Sequence, residues 1–520
     1  MSHTTDVGQQ AARGFAWNVT QSLLEKTLTA VGQLILASLL LKRDFGLVAL
    51  TYTVTTFAQL LPQFGLRQAL IQRNDEFSRW ATPACWMSGT IGIVAAALTL
   101  VAAPIAAAYY HEPQIKGLLM VAALGLPLAS LAVVPEARLS AQMRFGLLAK
   151  VGMLSVLLSF ALSILFAGFL GWGAYSILLP APIVALVRLP IFWIASDVKV
   201  QLSPCFRHWP SLFGTSATVW VASVIMMVTY VGQFSVLERM TANTDLVGAF
   251  YLMHQLSDQP TRVIVANLAA VLLPTLALLY GDPQRQLQGF ERAIRTLFLV
   301  GAPVCALQAV LSGPVVRLLL PMKYHSSGWL LSLLSLYMVG RLALSPIEAM
   351  LIAQRRQGTW MRIAVVYAPA YLAACAAGIW LGKPDRIWHI GHTSLPFGPG
   401  EGCTIGMMLC FNTMIPIALT MCFSPLGSAR SRAWKALQIP LIWGSLWGLI
   451  GAAIVHWMPL SVAGDIAALV ITPVVVTGGY YWVCRRYAAS DLNDILGRIG
   501  SIAPKRIAHI VAKLRSDVPA

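Results

Sequence analysis

The stretch PACWMSGTIGIVAAALTLVAAPIAAA, residues 83–108, decides the fold class because it contains no charged residue. A helix rises about 1.5 Å per residue, so this stretch is long enough to cross the ~30 Å hydrocarbon core of a bilayer. The whole chain agrees, since 57% of its 520 residues are hydrophobic, 11% are charged and the mean hydropathy is +0.70. Soluble proteins carry about 25% charged residues. The composition therefore excludes a soluble globular protein and indicates a polytopic membrane protein.

Similar apolar runs recur along the chain and predict an all-α fold with about 14 transmembrane helices. They lie at residues 15–40, 45–66, 83–108, 117–137, 147–170, 173–195, 212–237, 246–280, 293–320, 328–353, 361–382, 403–423, 437–456 and 462–484. We expect two pseudo-symmetric six-helix lobes, at residues 1–200 and 201–425, followed by two additional helices at 426–486. Residues 487–520 combine helical apolar spacing with Lys and Arg, which predicts a basic amphipathic cytoplasmic tail.

The distribution of positive charge predicts the orientation. With the amino terminus in the cytoplasm, 25 of the 37 Lys and Arg residues fall on the cytoplasmic side of the predicted spans and 8 on the other side. Lys and Arg accumulate in cytoplasmic loops, so both termini are expected there. The net charge of +17 therefore reflects topology. It does not indicate nucleic acid as a partner, because no soluble domain carries a basic recognition motif.

The cysteine and histidine patterns predict neither a cofactor nor a metal site. The eight cysteines lie mostly within or beside apolar segments, without CxxC or Cys/His ligand spacing. We expect them to be small buried side chains. His389 and His392 fall in a Gly- and Pro-rich stretch at 383–402, and no third ligand is evident nearby. This stretch is predicted to be an irregular, solvated periplasmic loop.

Ionisable side chains inside the predicted spans mark the candidate site. Each costs roughly 2.5–3.5 kcal/mol to insert, and so requires a partner or a water-filled cavity. Arginine offers a planar fork of donors that matches phosphate or carboxylate oxygens. The candidate residues for binding an anionic headgroup are Arg188, Arg262, Arg341, Gln21, Gln255 and Gln259. The candidates for ion coupling are Glu25, Asp258, Glu348 and His254, and no catalytic residue is predicted.

The residues alone leave the role of these charges open. Asp258 and Arg262 are four residues apart, so they face the same side of a helix and could neutralise each other as a structural pair. The glutamines beside them are not needed by any ion pair, which favours a wet polar cavity between helices. Such a cavity would suit either an anionic cargo or a proton or cation.

A faint internal repeat accompanies this pattern. Asp44-Phe45-Gly46-Leu47-Val48-Ala49 opens one predicted helix, and Asp245-Leu246-Val247-Gly248-Ala249-Phe250 opens another after the seventh span. Related lobes that face each other across a central site are typical of transporters that work by alternating access. The repeat thus favours a transporter.

Several motifs resemble the polysaccharide-transport proteins of the oligosaccharide flippase type. These are the segment from Asp44 to Ala49, Phe57-Ala58-Gln59-Leu60, the segment from Gln68 to Arg73, Gln142-Met143-Arg144-Phe145 and Gly171-Trp172-Gly173-Ala174. The type includes lipopolysaccharide and colanic-acid exporters of the multidrug/oligosaccharidyl-lipid/polysaccharide superfamily. Lys42-Arg43 departs from the pattern, since the family more often has a Pro-Glu pair there.

This resemblance implies a bacterial inner-membrane flippase that moves undecaprenyl-pyrophosphate-linked oligosaccharide repeat units for exopolysaccharide or O-antigen synthesis. It implies membrane lipids as partners, together with a polysaccharide polymerase and glycosyltransferases. One rival is a proton- or sodium-coupled multidrug exporter of the same superfamily, which would depend on a carboxylate such as Glu25 or Asp258. A membrane glycosyltransferase or polymerase is the other rival, and the absence of a large extramembrane loop disfavours it.

Overall fold

The computed structural model describes residues 24–60, 66, 70–71, 76–201, 206, 209, 217–383, 389–390, 393–394, 397–423, 429–459, 461–487 and 489. Within these residues the fold is helical. The helices are α1 (24–39), α2 (Lys42–Leu60), α3 (Phe77–Tyr110), α4 (Gln114–Leu131), α5 (Val133–Ala141), α6 (Phe145–Gly168), α7 (Tyr175–Leu178), α8 (Pro180–Ser196), α9 (Ala217–Thr241), α10 (Thr244–Leu278), α11 (Pro283–Leu319), α12 (Gly328–Arg341), α13 (Leu344–Ala353), α14 (Gln357–Leu381), α15 (Pro399–Phe423), α16 (Ala429–Trp457) and α17 (Val462–Tyr487).

Ten helical segments in the described part of the chain are long and apolar enough to cross a membrane. The chain is therefore a multi-pass membrane protein, as the composition predicts. The other four predicted spans overlap α1, α2, α10 and α16. The total of fourteen crossings and the lobe boundaries at residues 200 and 425 stay predictions. Most of the predicted amphipathic tail at 487–520 lies outside the described residues, and so does Gln21.

Three of the predicted single helices are broken in the structure. The breaks fall at Ala132, at Leu179 and at Leu342–Ala343. In each case a proline, Pro135, Pro180 or Pro346, stands within the first three positions of the following helix. Proline is tolerated in a first turn because the amide it lacks has no intrahelical partner there. The hydropathy pattern did not reveal these breaks, because it continues unchanged across them.

The predicted irregular loop at 383–402 is partly ordered. Two short strands, β1 (His389–Ile390) and β2 (Thr393–Ser394), pair antiparallel with His389 opposite Ser394. Helix α15 begins at Pro399, four residues before the predicted start of the span. The described residues of this segment thus contain local structure that its Gly- and Pro-rich composition did not predict.

The chain forms two compact units. The amino-terminal unit comprises residues 20–251 and 364–372, and the carboxy-terminal unit comprises 252–363 and 373 onward. In the amino-terminal unit α3 packs along α4, and in the carboxy-terminal unit α11 packs against α12, α16 and α17. Helices α10 and α14 each contribute to both units. Each unit thus has its own packed helices, and the polar side chains of the candidate site are described below unit by unit.

Candidate functional site

In the carboxy-terminal unit, two arginines share one buried aspartate. Asp258 on α10 accepts a hydrogen bond from Arg262 Nε at 2.5 Å, and its other oxygen lies 3.3 Å from Arg341 Nη1 on α12. The Asp258 side chain is only 3% exposed, whereas Arg262 is 39% and Arg341 22% exposed. One carboxylate cannot balance two guanidinium groups. This triad therefore carries a net charge of +1, with its positive groups more accessible than its negative group.

One backbone hydrogen bond of α10 is missing beside this triad. Pro260 has no amide hydrogen, so the carbonyl of Leu256 loses the donor that an ordinary helix would supply four residues later. Gln308 of α11 replaces it, donating from Nε2 to the Leu256 oxygen at 2.9 Å. Thr261 and Cys305 add a second contact between the two helices. These contacts hold the part of α10 that presents Asp258 and Arg262.

This substitute hydrogen bond gives a direct test of the local structure. Replacing Gln308 with leucine leaves the Leu256 carbonyl without a donor, which we expect to cost about 1–3 kcal/mol. The thermal unfolding midpoint of the purified Gln308→Leu variant should fall accordingly. Adding Pro260→Ala restores an amide at position 260 and should recover much of the loss. A double variant no more stable than Gln308→Leu alone would contradict this account of the helix.

Other predicted site residues belong to the same two predicted spans as the triad. Gln255 lies one turn before it and its Oε1 is 3.5 Å from Arg262 Nη2. His254 is buried, at 2% exposure, and Gln259 is half-buried on the same helix. Glu348 is half-buried on α13, and no ion pair joins it to another described residue. The triad thus joins polar residues of the eighth and tenth predicted spans in one cluster.

In the amino-terminal unit, the predicted Arg188 is paired. Its Nη2 donates to Glu136 Oε1, and its guanidinium carbon stands 5.1 Å from the centre of the Phe192 ring. Glu136 lines a cavity of about 730 Å³ between α2, α4, α5, α7 and α8, together with Tyr52, Thr55 and Gln59. The unit thus combines a charge pair with a cavity that is lined by both polar and apolar side chains.

Sequence reasoning missed Glu136. It stands at the very end of the predicted span 117–137, where an acidic residue is easily assigned to the boundary. The available signal was Pro135 directly before it, since a proline inside a span opens a new first turn that accommodates a carboxylate. In the structure Glu136 is indeed in the first turn of α5.

The predicted site residues therefore divide into two groups. Arg262 and Arg341 come together on Asp258, which sequence reasoning had assigned separately to ion coupling. Arg188 belongs to the other unit, so one cavity lined by all three arginines stays a prediction. Glu25 is half-buried on α1 and its carbonyl accepts a hydrogen bond from Thr29 at 2.7 Å. Gln21 lies outside the described residues.

The arrangement suits binding of an anion better than covalent chemistry. Guanidinium groups bind phosphate oxygens in a bidentate manner, and a second arginine on the same carboxylate keeps positive charge available. Among the described residues, no three His, Cys, Asp or Glu side chains come together as ligands for a metal ion. Nothing in the triad resembles an activated nucleophile beside a general base.

Comparison with known proteins agrees with the resemblance seen in the motifs. Residues 35–328 match the profile of the polysaccharide biosynthesis protein family. The succinoglycan biosynthesis transport protein ExoT of Rhizobium meliloti (strain 1021) is 26% identical over 323 residues. This match covers 61% of the present chain, which spans 65% of the length of ExoT.

Solved transporters share the fold. The inward closed conformation of the lipid II flippase MurJ superposes with a TM-score of 0.63 at 12% identity, covering 89% of this chain and 99% of MurJ. An inward-facing multidrug resistance MATE family transporter of the MOP superfamily gives a TM-score of 0.59 at 15% identity, covering 78% and 96% of the two chains. At these identities the likeness is one of fold alone. The profile match extends over more than half of the sequence, and the chain therefore belongs to the polysaccharide biosynthesis protein family.

Proposed function

We propose that this protein is a flippase that moves undecaprenyl-pyrophosphate-linked oligosaccharide repeat units across the bacterial inner membrane by alternating access. Family membership and the transport role named for ExoT support the reaction class. The products served would be an exopolysaccharide or O-antigen, and the partners would be membrane lipids, a polymerase and glycosyltransferases. Both termini would lie in the cytoplasm, as the Lys and Arg distribution predicts.

The triad of Asp258, Arg262 and Arg341 is the observation that carries this proposal. A pyrophosphate headgroup brings at least two negative charges into a region of low dielectric constant, where they need positive partners. The triad retains one positive charge after its internal pairing, and its two guanidinium groups are partly exposed while Asp258 is buried. Arg262 and Arg341 would bind the phosphate oxygens, with Gln255 and Gln259 as further hydrogen-bonding groups.

The amino-terminal unit would contribute to the sugar portion of the cargo. Tyr52 and Gln59 line the 730 Å³ cavity, in which Glu136 is balanced by Arg188. Their hydroxyl and amide groups would form hydrogen bonds with sugar hydroxyls. Arg188 would keep the cavity from being negatively charged and so from repelling a cargo that carries phosphate.

Ion coupling, where it operates, would use Glu348 in preference to Asp258. Asp258 is occupied by two arginines, so removing its charge would disrupt the triad. Glu348 lies half-buried within α13 and no ion pair joins it to another described residue. His254 and Glu25 remain the other candidates.

Arg341→Gln tests the anion site without leaving an unpaired carboxylate, because Asp258 keeps Arg262 as its partner. The triad then becomes a neutral pair, and we expect transport of lipid-linked oligosaccharide into proteoliposomes to fall at least tenfold. The protein should still purify in normal amounts. In cells, the variant and a gene deletion should both accumulate lipid-linked oligosaccharide on the cytoplasmic leaflet.

The matched control is Arg285→Gln, which makes the same chemical change at a side chain that is 76% exposed. It should transport normally.

A comparison of Glu25→Gln with Arg262→Ala in the same transport assay separates the multidrug exporter from the flippase. Full activity in both Arg341→Gln and Arg262→Ala, with loss only in a carboxylate variant, would overturn the proposal in favour of an ion-coupled exporter.

A further inference from the structure

A second, apolar groove lies within the amino-terminal unit, apart from the charged residues discussed above. Helices α2, α3 and α9 line an open groove of about 680 Å³, and Leu372 of α14 contributes to its lining. Its walls are mostly valine, alanine and leucine, with Val224, Val228 and Val236 marking its course along α9. The groove is therefore shaped for an apolar ligand.

The buried hydroxyl groups of the groove, on Thr53, Thr99 and Tyr110, are already hydrogen-bonded to the protein. Tyr110 donates to Ser235 at 2.9 Å and lies 3.0 Å from Thr53. Thr99 donates to the carbonyl of Ala95 at 2.8 Å. Because these groups have protein partners, a hydrocarbon chain could fill the groove without depriving them of water.

The length of the groove matches one leaflet of a membrane. Its lining on α9 runs from Val224 to Val236. At about 1.5 Å per residue this is about 18 Å, close to half of the ~30 Å hydrocarbon thickness of a bilayer. A single extended acyl chain has this reach.

One end of the groove carries a positive charge. Tyr109 lines the groove, and the guanidinium carbon of Arg239 lies 5.4 Å from the centre of its ring. Arg239 Nη1 is also 3.2 Å from His111 Nε2. Arg239 is exposed in the last turn of α9, and among the described residues no carboxylate forms an ion pair with it. Its remaining donors can therefore bind a phosphate.

From this juxtaposition we propose that the groove binds an anionic phospholipid, with one acyl chain between α2, α3 and α9 and the headgroup phosphate on Arg239. The length of one leaflet and the cation at one end favour a phospholipid over a second protein chain. They also favour it over a polyprenyl carrier, whose chain is too long for the groove. This inference is independent of the proposed transport reaction.

Native mass spectrometry of the full chain, released from nanodiscs, tests the site. The probes are phosphatidylglycerol and phosphatidylcholine with identical acyl chains. We expect the wild-type protein to retain one phosphatidylglycerol in preference to phosphatidylcholine. Arg239→Gln should lower that preference at least threefold, because it removes the cation and leaves the groove open. Val228→Trp and Ala102→Phe should abolish retention of both lipids by filling the groove.

Two controls separate these effects from general changes in lipid contact. Val366→Trp places the same bulk on α14 at a side chain that is 70% exposed, and Arg285→Gln removes an exposed charge elsewhere. Both should bind like the wild type.

Unchanged preference for phosphatidylglycerol in Arg239→Gln, or lipid retained by both filling variants, would overturn the proposal. Displacement of phosphatidylglycerol by equimolar undecaprenyl phosphate would also overturn it, because the groove would then belong to the carrier lipid. Size-exclusion profiles identify any filling variant that fails to fold, in which case Arg239→Gln and the other filling variant decide.

Discussion

Asp258→Ala is expected to give a protein that is unstable and inactive, because it removes the carboxylate that pairs with both Arg262 and Arg341. Two guanidinium groups would then repel each other inside the helix bundle. Breaking a buried ion pair by deleting one partner costs roughly 3–5 kcal/mol, and the partial exposure of the arginines favours the lower end. A domain is stable by only about 5–15 kcal/mol. We therefore expect a drop of at least about 5 °C in the thermal midpoint and transport below a tenth of wild type.

A neutral version of the triad separates stability from transport. Asp258→Asn combined with Arg262→Gln and Arg341→Gln removes all three charges together, so no uncompensated charge is left in the helix bundle. This triple variant should recover most of the thermal stability lost in Asp258→Ala. It should remain inactive, because no positive charge is left for the pyrophosphate. If the triple variant transported normally, the triad would be structural and its proposed role in binding would be wrong.

The sequence predicted part of this triad from spacing alone. Asp258 and Arg262 are four residues apart, and on a helix this separation brings side chains together. The contribution of Arg341 could not be foreseen in the same way. It comes from a different helix, and which helices pack together depends on tertiary structure. The same limit applies to Arg188, whose described partner Glu136 also lies on a different helix.

Hydropathy located the spans but not their internal breaks. Ten helices meet the criteria for membrane spans within the described residues, and all ten overlap predicted runs. The breaks before Pro135, Pro180 and Pro346 depend on single backbone amides, and a count of apolar residues does not register them. Several short motifs taken together identified the family. No single residue in these motifs specifies the function.

The two segments of the internal repeat lie at a close approach of two helix backbones. Gly46 and Gly248 stand near the starts of α2 and α10, in the two segments that resemble each other. A Cβ atom added to Gly248 would lie 1.8 Å from the Lys42 carbonyl oxygen, and one added to Gly46 would lie 2.1 Å from the Thr244 carbonyl oxygen. Small residues allow helix backbones to approach in this way inside a membrane. A glycine from each copy of the repeat therefore lies against the backbone at the start of the other helix.

Gly248→Ala should consequently be among the most damaging single-methyl changes in the chain. The obstructing atom is a backbone oxygen, which cannot rotate away, so α2 and α10 would have to separate by more than 1 Å at their crossing. We expect at least a tenfold loss of transport together with a lower thermal midpoint.

Gly358→Ala is the matched control, because the added methyl group would have no atom of another element within 4 Å. Alanine is a better helix former than glycine by about 1 kcal/mol, so this control should be as stable as the wild type or slightly more so. Equal transport and stability in the two variants would show that α2 and α10 do not depend on backbone contact at this crossing.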